Sequence, residues 1–392
     1  MCYKINLKIN FIMIIILIIS IFIKIIPVCA EENSSQDFNQ DFSQNSFQES
    51  ALLLIEANTG CVLSQEYAEQ KRPVGSLAKL MTAYLTAKAI ENGNFTLDSI
   101  MTAGESVSGM SGAVVWLKPG DTITVRELLS ALIVGNANDA AAVLADRISG
   151  SAEKFVMDMN AMAFDLGMRA THFTSPQGFD DTMAYSTAQD MGMLACAVLR
   201  CDVLSECLTT WRTFIRNDTV ELVNENSLTR TWDNCRGLKA ARSPASGNSV
   251  IAAAQQDDMI CVAVVLGCSD EDERFTLAKK LLNAGFQRYQ ITIPGFSEEF
   301  LQPLRIKGGT ESAVLLKLSG LPALAVPSGA QLQAVMILPE YVQAPVRKNQ
   351  KLGTVYFYHE ETLLCECALS ASEEVPKMTF LLACKRVLHF LF

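Results

Sequence analysis

The chain has 392 residues, of which 49 % are hydrophobic and 19 % charged, with a formal net charge of −10. That length and apolar content support one large domain with a smaller companion and exclude global disorder. The acidic balance, with no basic stripe of interleaved aromatics, excludes nucleic acid as the main partner.

In chain order, Lys4 and Lys8 precede the apolar run FIMIIILIISIFI at 11–23, and Val28 and Ala30 put small residues at −3 and −1 of a cut before Glu31. This is the layout of a secretory signal peptide over residues 1–30, and it predicts an exported chain. The competing reading, an uncleaved anchor helix, is disfavoured by Lys24, which interrupts the run short of the roughly 20 residues a span needs. Residues 31–50, EENSSQDFNQDFSQNSFQES, are rich in Ser, Gln and Asn without a period and read as a flexible spacer.

A domain over 51–291 starts with ALLLIEANTGCVLSQ, a strand, an Asn-Thr-Gly turn at 58–60 and a second strand. From Ser76 to about Ile90, Leu77, Leu80, Met81, Tyr84 and Leu85 mark a mostly buried helix. Residues 124–149 read as two helices broken at Gly135-Asn136, and Ser151 and Glu153 suit the start of a third. Residues 249–267 read as two strands about a turn at Asp257-Asp258, and DERFTLAKKLLNAGFQRY as a closing helix. Strands at both ends of a helical middle predict an α/β domain whose antiparallel sheet collects distant segments.

Residues 292–372 change texture to short strands with Gly and Pro turns, the pattern of a small β-sandwich or barrel. Residues 373–392 turn helical, with Phe380, Leu381, Cys384, Val387, Leu388 and Leu391 on one face and Lys385, Arg386 and His389 turned away. An amphipathic helix of this kind lies in a membrane interface. Docking on the protein's own surface is the alternative.

Of twelve cysteines, Cys2 and Cys29 leave with the leader, and the other ten form no Cys-x-x-Cys pair, so no zinc site is expected. Several sit in apolar runs such as MICVAVVLGC and read as small buried hydrophobes. Only His172, His359 and His389 are present, so a Ser-His-Asp triad would rest on His172, whose setting MRATHFTSPQG reads as a structural turn. Metal hydrolysis fails on the same scarcity, and lysine is left as the base. Ser76 and Lys79, one helical turn apart, point to the same side. A lysine of depressed pKa can take the serine proton, and a helix N-terminus favours negative charge beside the serine oxygen.

Ser-x-x-Lys alone is a weak motif, but it stands in RPVGSLAKLMTAYL. That block is followed in order by AVVWLKPGDTITVRELLSALIVGNANDAAAVLAD, KFVMDMNAMAFDLGMRATHFTSPQGFDD…YSTAQDM and GLKAARSPASGNSVIAAA…MICVAVVLG. With these blocks the chain resembles the low-molecular-mass penicillin-binding proteins, the serine-type D-alanyl-D-alanine carboxypeptidases of peptidase family S11, from about residue 50 to the tail. The resemblance implies a penicillin-binding/β-lactamase-like α/β transpeptidase domain, then a small all-β domain and a C-terminal amphipathic helix. It also implies a place at the outer face of the bacterial cytoplasmic membrane, or secretion.

The family carries Ser-x-x-Lys, Ser-x-Asn and Lys-Thr-Gly. By resemblance Ser76 is the acylated nucleophile and Lys79 its proton acceptor. The middle element falls on Asn136-Ala137-Asn138, keeping Asn138 with Asn136 in the serine's place. The third falls on Lys239-Ala240-Ala241, keeping the lysine as a substrate-holding group on the strand edging the cleft. A further departure is Ala184-Tyr185-Ser186-Thr187-Ala188, where the family has His-Tyr-Ser-Thr-Ala. An amide at Asn136 hydrogen-bonds but does not shuttle a proton as a hydroxyl does. Losing the threonine hydroxyl at Ala240 costs on the order of 1–3 kcal/mol of contact to a terminal carboxylate. Arg242 and Ser243 are the candidates to replace it. The substrates implied are peptidoglycan stem peptides, with β-lactams as covalent inhibitors and with no metal or organic cofactor. A non-catalytic peptidoglycan-binding protein and a β-lactamase are the rival readings.

Overall fold

The structure is a computed structural model that describes residues 50–297, 299, 301–318 and 320–384. The predicted leader, nearly all of the spacer and the end of the predicted tail helix lie outside the described residues.

In the first domain the strands are β1 (Ala51–Glu56), β2 (Val62–Glu66), β3 (Ile100–Thr102), β4 (Thr122–Thr124), β5 (Arg212–Ile215), β6 (Val220–Val223), β7 (Cys235–Ser243), β8 (Gly247–Gln256) and β9 (Met259–Cys268). The helices are α1 (Lys79–Glu91), α2 (Val125–Ile133), α3 (Asn138–Ser149), α4 (Ala152–Asp165), α5 (Ala188–Leu199), α6 (Ser205–Thr209), α7 (Leu228–Thr231) and α8 (Glu273–Arg288). A five-stranded sheet runs β2-β1-β9-β8-β7, with every neighbour antiparallel. β1 pairs with β9 from Ala51↔Leu266 to Glu56↔Cys261, so the first strand closes on one some 200 residues later.

Both faces of this sheet are covered, which explains why ALLLI is apolar throughout instead of alternating. Leu53, Ile55, Val262 and Val264 enter the core shared with α1, α2, α3 and α5. Leu52, Leu54, Ala263 and Val265 pack on the other side with Leu277, Leu281 and Leu282 of α8. Free thiols at Cys196, Cys207 and Cys261 are buried in these layers, and burial pushes the Cys196 and Cys207 thiols up to about 12.

Local signals place the helices. α2 starts in a capping box, with Thr124 accepting from the Glu127 N–H and the Glu127 carboxylate accepting from the Thr124 N–H. It stops before Gly135-Asn136, where Asn136 is left-handed at φ 54. A Cβ on Gly135 would lie 2.6 Å from Leu222 Cδ2 of β6, so the glycine leaves room for that side chain to pack on the turn. Ser151 caps α4 by accepting from the Lys154 N–H.

The second domain is built from β10 (Tyr289–Thr292), β11 (Leu304–Lys307), β12 (Ala313–Val314), β13 (Leu316–Leu318), β14 (Leu324–Pro327), β15 (Leu332–Ile337), β16 (Tyr341–Gln343), β17 (Lys351–His359) and β18 (Thr362–Ala371). They form sheets β12-β11-β16 and β13-β18-β17-β15, and β10 pairs with β14. The change of texture at 291/292 falls inside β10. That strand follows α8 directly and is tied back to the first domain, the Tyr289 hydroxyl donating to the Leu63 carbonyl at 3.1 Å. Helical structure resumes at Phe380, with Phe380 and Leu381 exposed. Among the described residues no helix is long and apolar enough to cross a membrane.

Candidate active site

The site grows from the N-terminal end of α1. Residues Gly75–Ala78 form a 3-10 turn that runs into the helix at Lys79, so Ser76 stands half-buried at the turn and Lys79 opens the first α-helical turn. Gly75 is left-handed at φ 50, and a Cβ on Gly178 would lie 2.1 Å from its carbonyl oxygen. The 175–181 loop therefore sits hard against the serine turn.

Lys79 is 1 % exposed. Its Nζ donates to Asn138 Oδ1 and to the Gln177 carbonyl, each at 2.8 Å. Asn138 is the first residue of α3, and its amide in turn donates to the Ser111 carbonyl at 2.7 Å. Burial, reinforced by the nearby Lys239, holds the Lys79 ammonium well below the usual lysine range, with Glu225 pulling the other way. Neither acceptor of Nζ is charged, so nothing close by repays the desolvation of a cation. The shift is toward the neutral amine, the form that accepts a proton.

Lys239 comes from β7, the edge strand of the sheet, which packs beside the serine turn. It is 2 % exposed, and its Nζ reaches the Leu132 and Ile133 carbonyls at the end of α2 at 3.4 and 3.3 Å. Burial lowers it to about 8, with Glu225 and Cys207 pulling the other way. Asp139, also buried, accepts from the Val115 and Leu117 N–H groups and fixes the 111–117 segment over α3.

Lys79 and Asn138 are thus bonded one helical turn from Ser76, and Lys239 stands on the strand that packs against the serine turn. Asn136 lies on the α2–α3 turn next to them, but its amide donates at 3.5 Å to Glu225. Its buried Oδ1 has no partner among the described residues. Ala240 is not brought to this point: it packs under the sheet with Val250, Ala252 and Leu277. Arg242 shares its face and pairs with Glu271, and Ser243 donates to Asp180 Oδ1 at 2.7 Å. His172 is exposed and bridges Tyr185 through paired backbone hydrogen bonds, a structural position.

Four participants carried no signal of their own in the sequence. Gln177 contributes a backbone carbonyl, which residue type does not encode. Glu225 is one acid in a polar stretch, and Asp180 one in a loop. Arg274, on the closing helix, is buried and donates to the Ala241 carbonyl at 2.6 Å from behind β7.

The family model described as D-alanyl-D-alanine carboxypeptidase matches residues 39–270, more than half of the chain. The chain belongs to the D-alanyl-D-alanine carboxypeptidase family. A second model, the C-terminal domain of penicillin-binding protein 5, matches residues 305–377 and accounts for the all-β domain. Among curated D-alanyl-D-alanine carboxypeptidases, DacF of Bacillus subtilis is 28 % identical, with 87 % of this chain and 89 % of that protein covered. DacC of Escherichia coli is 31 % identical, with 80 % of each covered. The crystal structure of penicillin-binding protein 5 from Haemophilus influenzae matches with a TM-score of 0.76 at 26 % identity, covering 83 % of this carboxypeptidase-family chain and 97 % of that one.

Proposed function

We propose that the protein removes the terminal D-alanine from peptidoglycan stem peptides through an acyl-enzyme on Ser76. The observation that carries this reading is Lys79, buried and bonded to two uncharged acceptors one helical turn from Ser76, where burial favours the neutral amine. Ser76 Oγ attacks the carbonyl carbon of the penultimate D-alanine while Lys79 Nζ takes its proton. Backbone N–H groups, that of Ser76 among them, hold the oxyanion. The C–N bond then breaks, the protonated amine hands a proton to the leaving nitrogen, and D-alanine departs. Water attacks the remaining ester by the same proton path and restores Ser76.

Asn138 positions Lys79, and Lys239 supplies positive charge on the β7 edge, along which an extended stem peptide adds as a further strand. The same serine would be acylated by β-lactams. Asn136 lacks the hydroxyl that helps proton transfer in the family pattern, so turnover is expected to be slow. The leader and the amphipathic tail fit export and attachment at the outer face of the membrane.

Release of D-alanine from a synthetic stem peptide ending in D-alanyl-D-alanine tests the reading. It is expected from the wild type and lost in Ser76→Ala; release that persists in Ser76→Ala overturns it. The alanine packed under the sheet at 240 favours a second reading, a wall-binding protein, which would bind the peptide without releasing D-alanine. Rapid β-lactam hydrolysis in place of a lasting adduct would instead mark a β-lactamase.

A further inference from the structure

One of the two acceptors of Lys79 Nζ is the Gln177 carbonyl, so the base is held in part by the backbone of the 175–181 loop. Inside that loop, Ser175 Oγ accepts from the Gly178 and Phe179 N–H groups at 3.1 Å each. On one side the loop is fastened to α1. The Pro176 carbonyl accepts from the buried Thr82 hydroxyl at 2.8 Å, beside the Gln177 carbonyl on Lys79. On the other side the Ser243 hydroxyl of β7 donates to Asp180 Oδ1 at 2.7 Å.

Ser243 is the last residue of β7, and alternation gives it the same strand face as Lys239 and Ala241. It is half-buried, and its hydroxyl lies 2.7 Å from that of Ser246, a buried residue of the turn between β7 and β8. A carboxylate only accepts, so Ser243 donates to Asp180 and accepts from the Ser246 hydroxyl. The Ser246 N–H donates to the same Ser243 oxygen at 3.0 Å. Bonds aligned in this way polarise and strengthen one another. Both hydroxyls stand against the residue before the nucleophile: a Cβ on Gly75 would lie 3.1 Å from Ser246 Oγ and 3.6 Å from Ser243 Oγ. Gly178 presses on the carbonyl of the same Gly75 from the loop. Gly75 is thus enclosed between the loop and the β7–β8 turn, and the Asp180–Ser243 bond joins these two walls.

We propose that Asp180 and Ser243 are positioning residues whose bond fastens the 175–181 loop to β7, and so holds the Gln177 carbonyl on Lys79 and the Ser76 turn in place for acylation. The proposal rests on the assignment of Ser76 and Lys79 above. β7 is then tied to both walls of the site, by Lys239 to the end of α2 and by Ser243 to the loop. The Gln177 bond strengthens as Lys79 takes the serine proton and becomes charged, and that gain is realised only while the loop stays in register. The same bond gives Ser243 its role. Its single proton goes to Asp180, so it has none to offer a substrate carboxylate.

The test combines two readouts on the full-length protein. Hydrogen-exchange mass spectrometry on the peptide spanning 175–181 follows the loop. The rate constant for acylation by a fluorescent penicillin, with Ser76→Ala as control, follows the reaction. Asp180→Ala and Ser243→Ala are each expected to speed exchange in the loop and to slow acylation by roughly 3- to 30-fold. The double variant is expected to be no slower than the slower single one, because both remove the same bond. Asp180→Asn keeps an acceptor and Ser243→Thr a hydroxyl, and each is expected to restore both readouts to within about twofold of wild type. Side chains that served only general stability would add in the double variant and would not be rescued by these exchanges. Loop exchange or acylation equal to wild type in both alanine variants, losses that add, or an Asp180→Asn as slow as Asp180→Ala overturns the proposal. Labelling that persists in Ser76→Ala overturns the nucleophile assignment instead, and loop exchange still judges the Asp180–Ser243 bond.

Discussion

Asn138 makes the sharpest test of how the lysine is held. Its side chain joins Lys79 Nζ at 2.8 Å, in buried surroundings, to the Ser111 carbonyl at 2.7 Å, in partly buried ones. With Lys79 acting as the neutral amine, its bond to Asn138 is worth about 1 kcal/mol net; once Lys79 has taken the serine proton the same bond becomes charge-assisted, worth about 1.5–3 kcal/mol. Only the strengthening of about 0.5–2 kcal/mol lowers the barrier, so Asn138→Ala should slow acylation by roughly 2- to 30-fold. Leaving Nζ and the Ser111 carbonyl short of partners should also cost about 1–3 kcal/mol of stability.

Asn138→Asp separates the two effects. A carboxylate beside Nζ favours the ammonium, which raises the Lys79 pKa and removes the base at neutral pH. That variant should be more stable than Asn138→Ala, acylate more slowly at pH 7, and recover as pH rises. Stopped-flow acylation with a fluorescent penicillin between pH 6 and 10, with urea denaturation alongside, measures both. The reasoning is refuted by an Asn138→Ala rate equal to wild type, or by an Asn138→Asp optimum at or below the wild-type pH.

Two further outcomes follow from the same geometry. Lys239 titrates near 8 in the fold against 10.5 for a free lysine, so between those values the unfolded chain binds the extra proton and stability rises with pH; below about 8 the burial cost is felt in full. Between pH 8 and 10 the rise should be about 2 kcal/mol in wild type and be reduced in Lys239→Met, by guanidinium denaturation at those two pH values; equal slopes in the two proteins would refute it. Gly178→Ala puts a Cβ 2.1 Å from the Gly75 carbonyl at a φ of +70. It should cost about 1–3 kcal/mol and weaken Ser76 labelling together with Tm, whereas unchanged values for both would contradict that packing.

The sequence made local elements legible where one residue type enforces them. The break at Gly135-Asn136 separates α2 from α3, and the Asp257-Asp258 turn joins β8 to β9. Ser151 caps α4 as its side chain predicts. Strand order was not legible, because pairing β1 with β9 depends on a core that neither segment describes alone. The same boundary holds in the site. Ser76, Lys79, Asn138 and Lys239 stand in spaced motifs, but the second acceptor of Lys79 is a backbone carbonyl, and the side chain that engages Asn136 lies 89 residues away. Sequence alternation gives Arg242, two residues after Ala240 on β7, the same face of the strand. What alternation left out is that Glu271 and α8 occupy that side.

The central claim, that Ser76 is the acylated nucleophile, is tested most directly by intact-protein mass spectrometry with peptide mapping after exposure to a penicillin. A single adduct on the peptide containing Ser76, absent from Ser76→Ala, is the predicted result. An adduct on another residue, or one that survives in Ser76→Ala, would contradict the account.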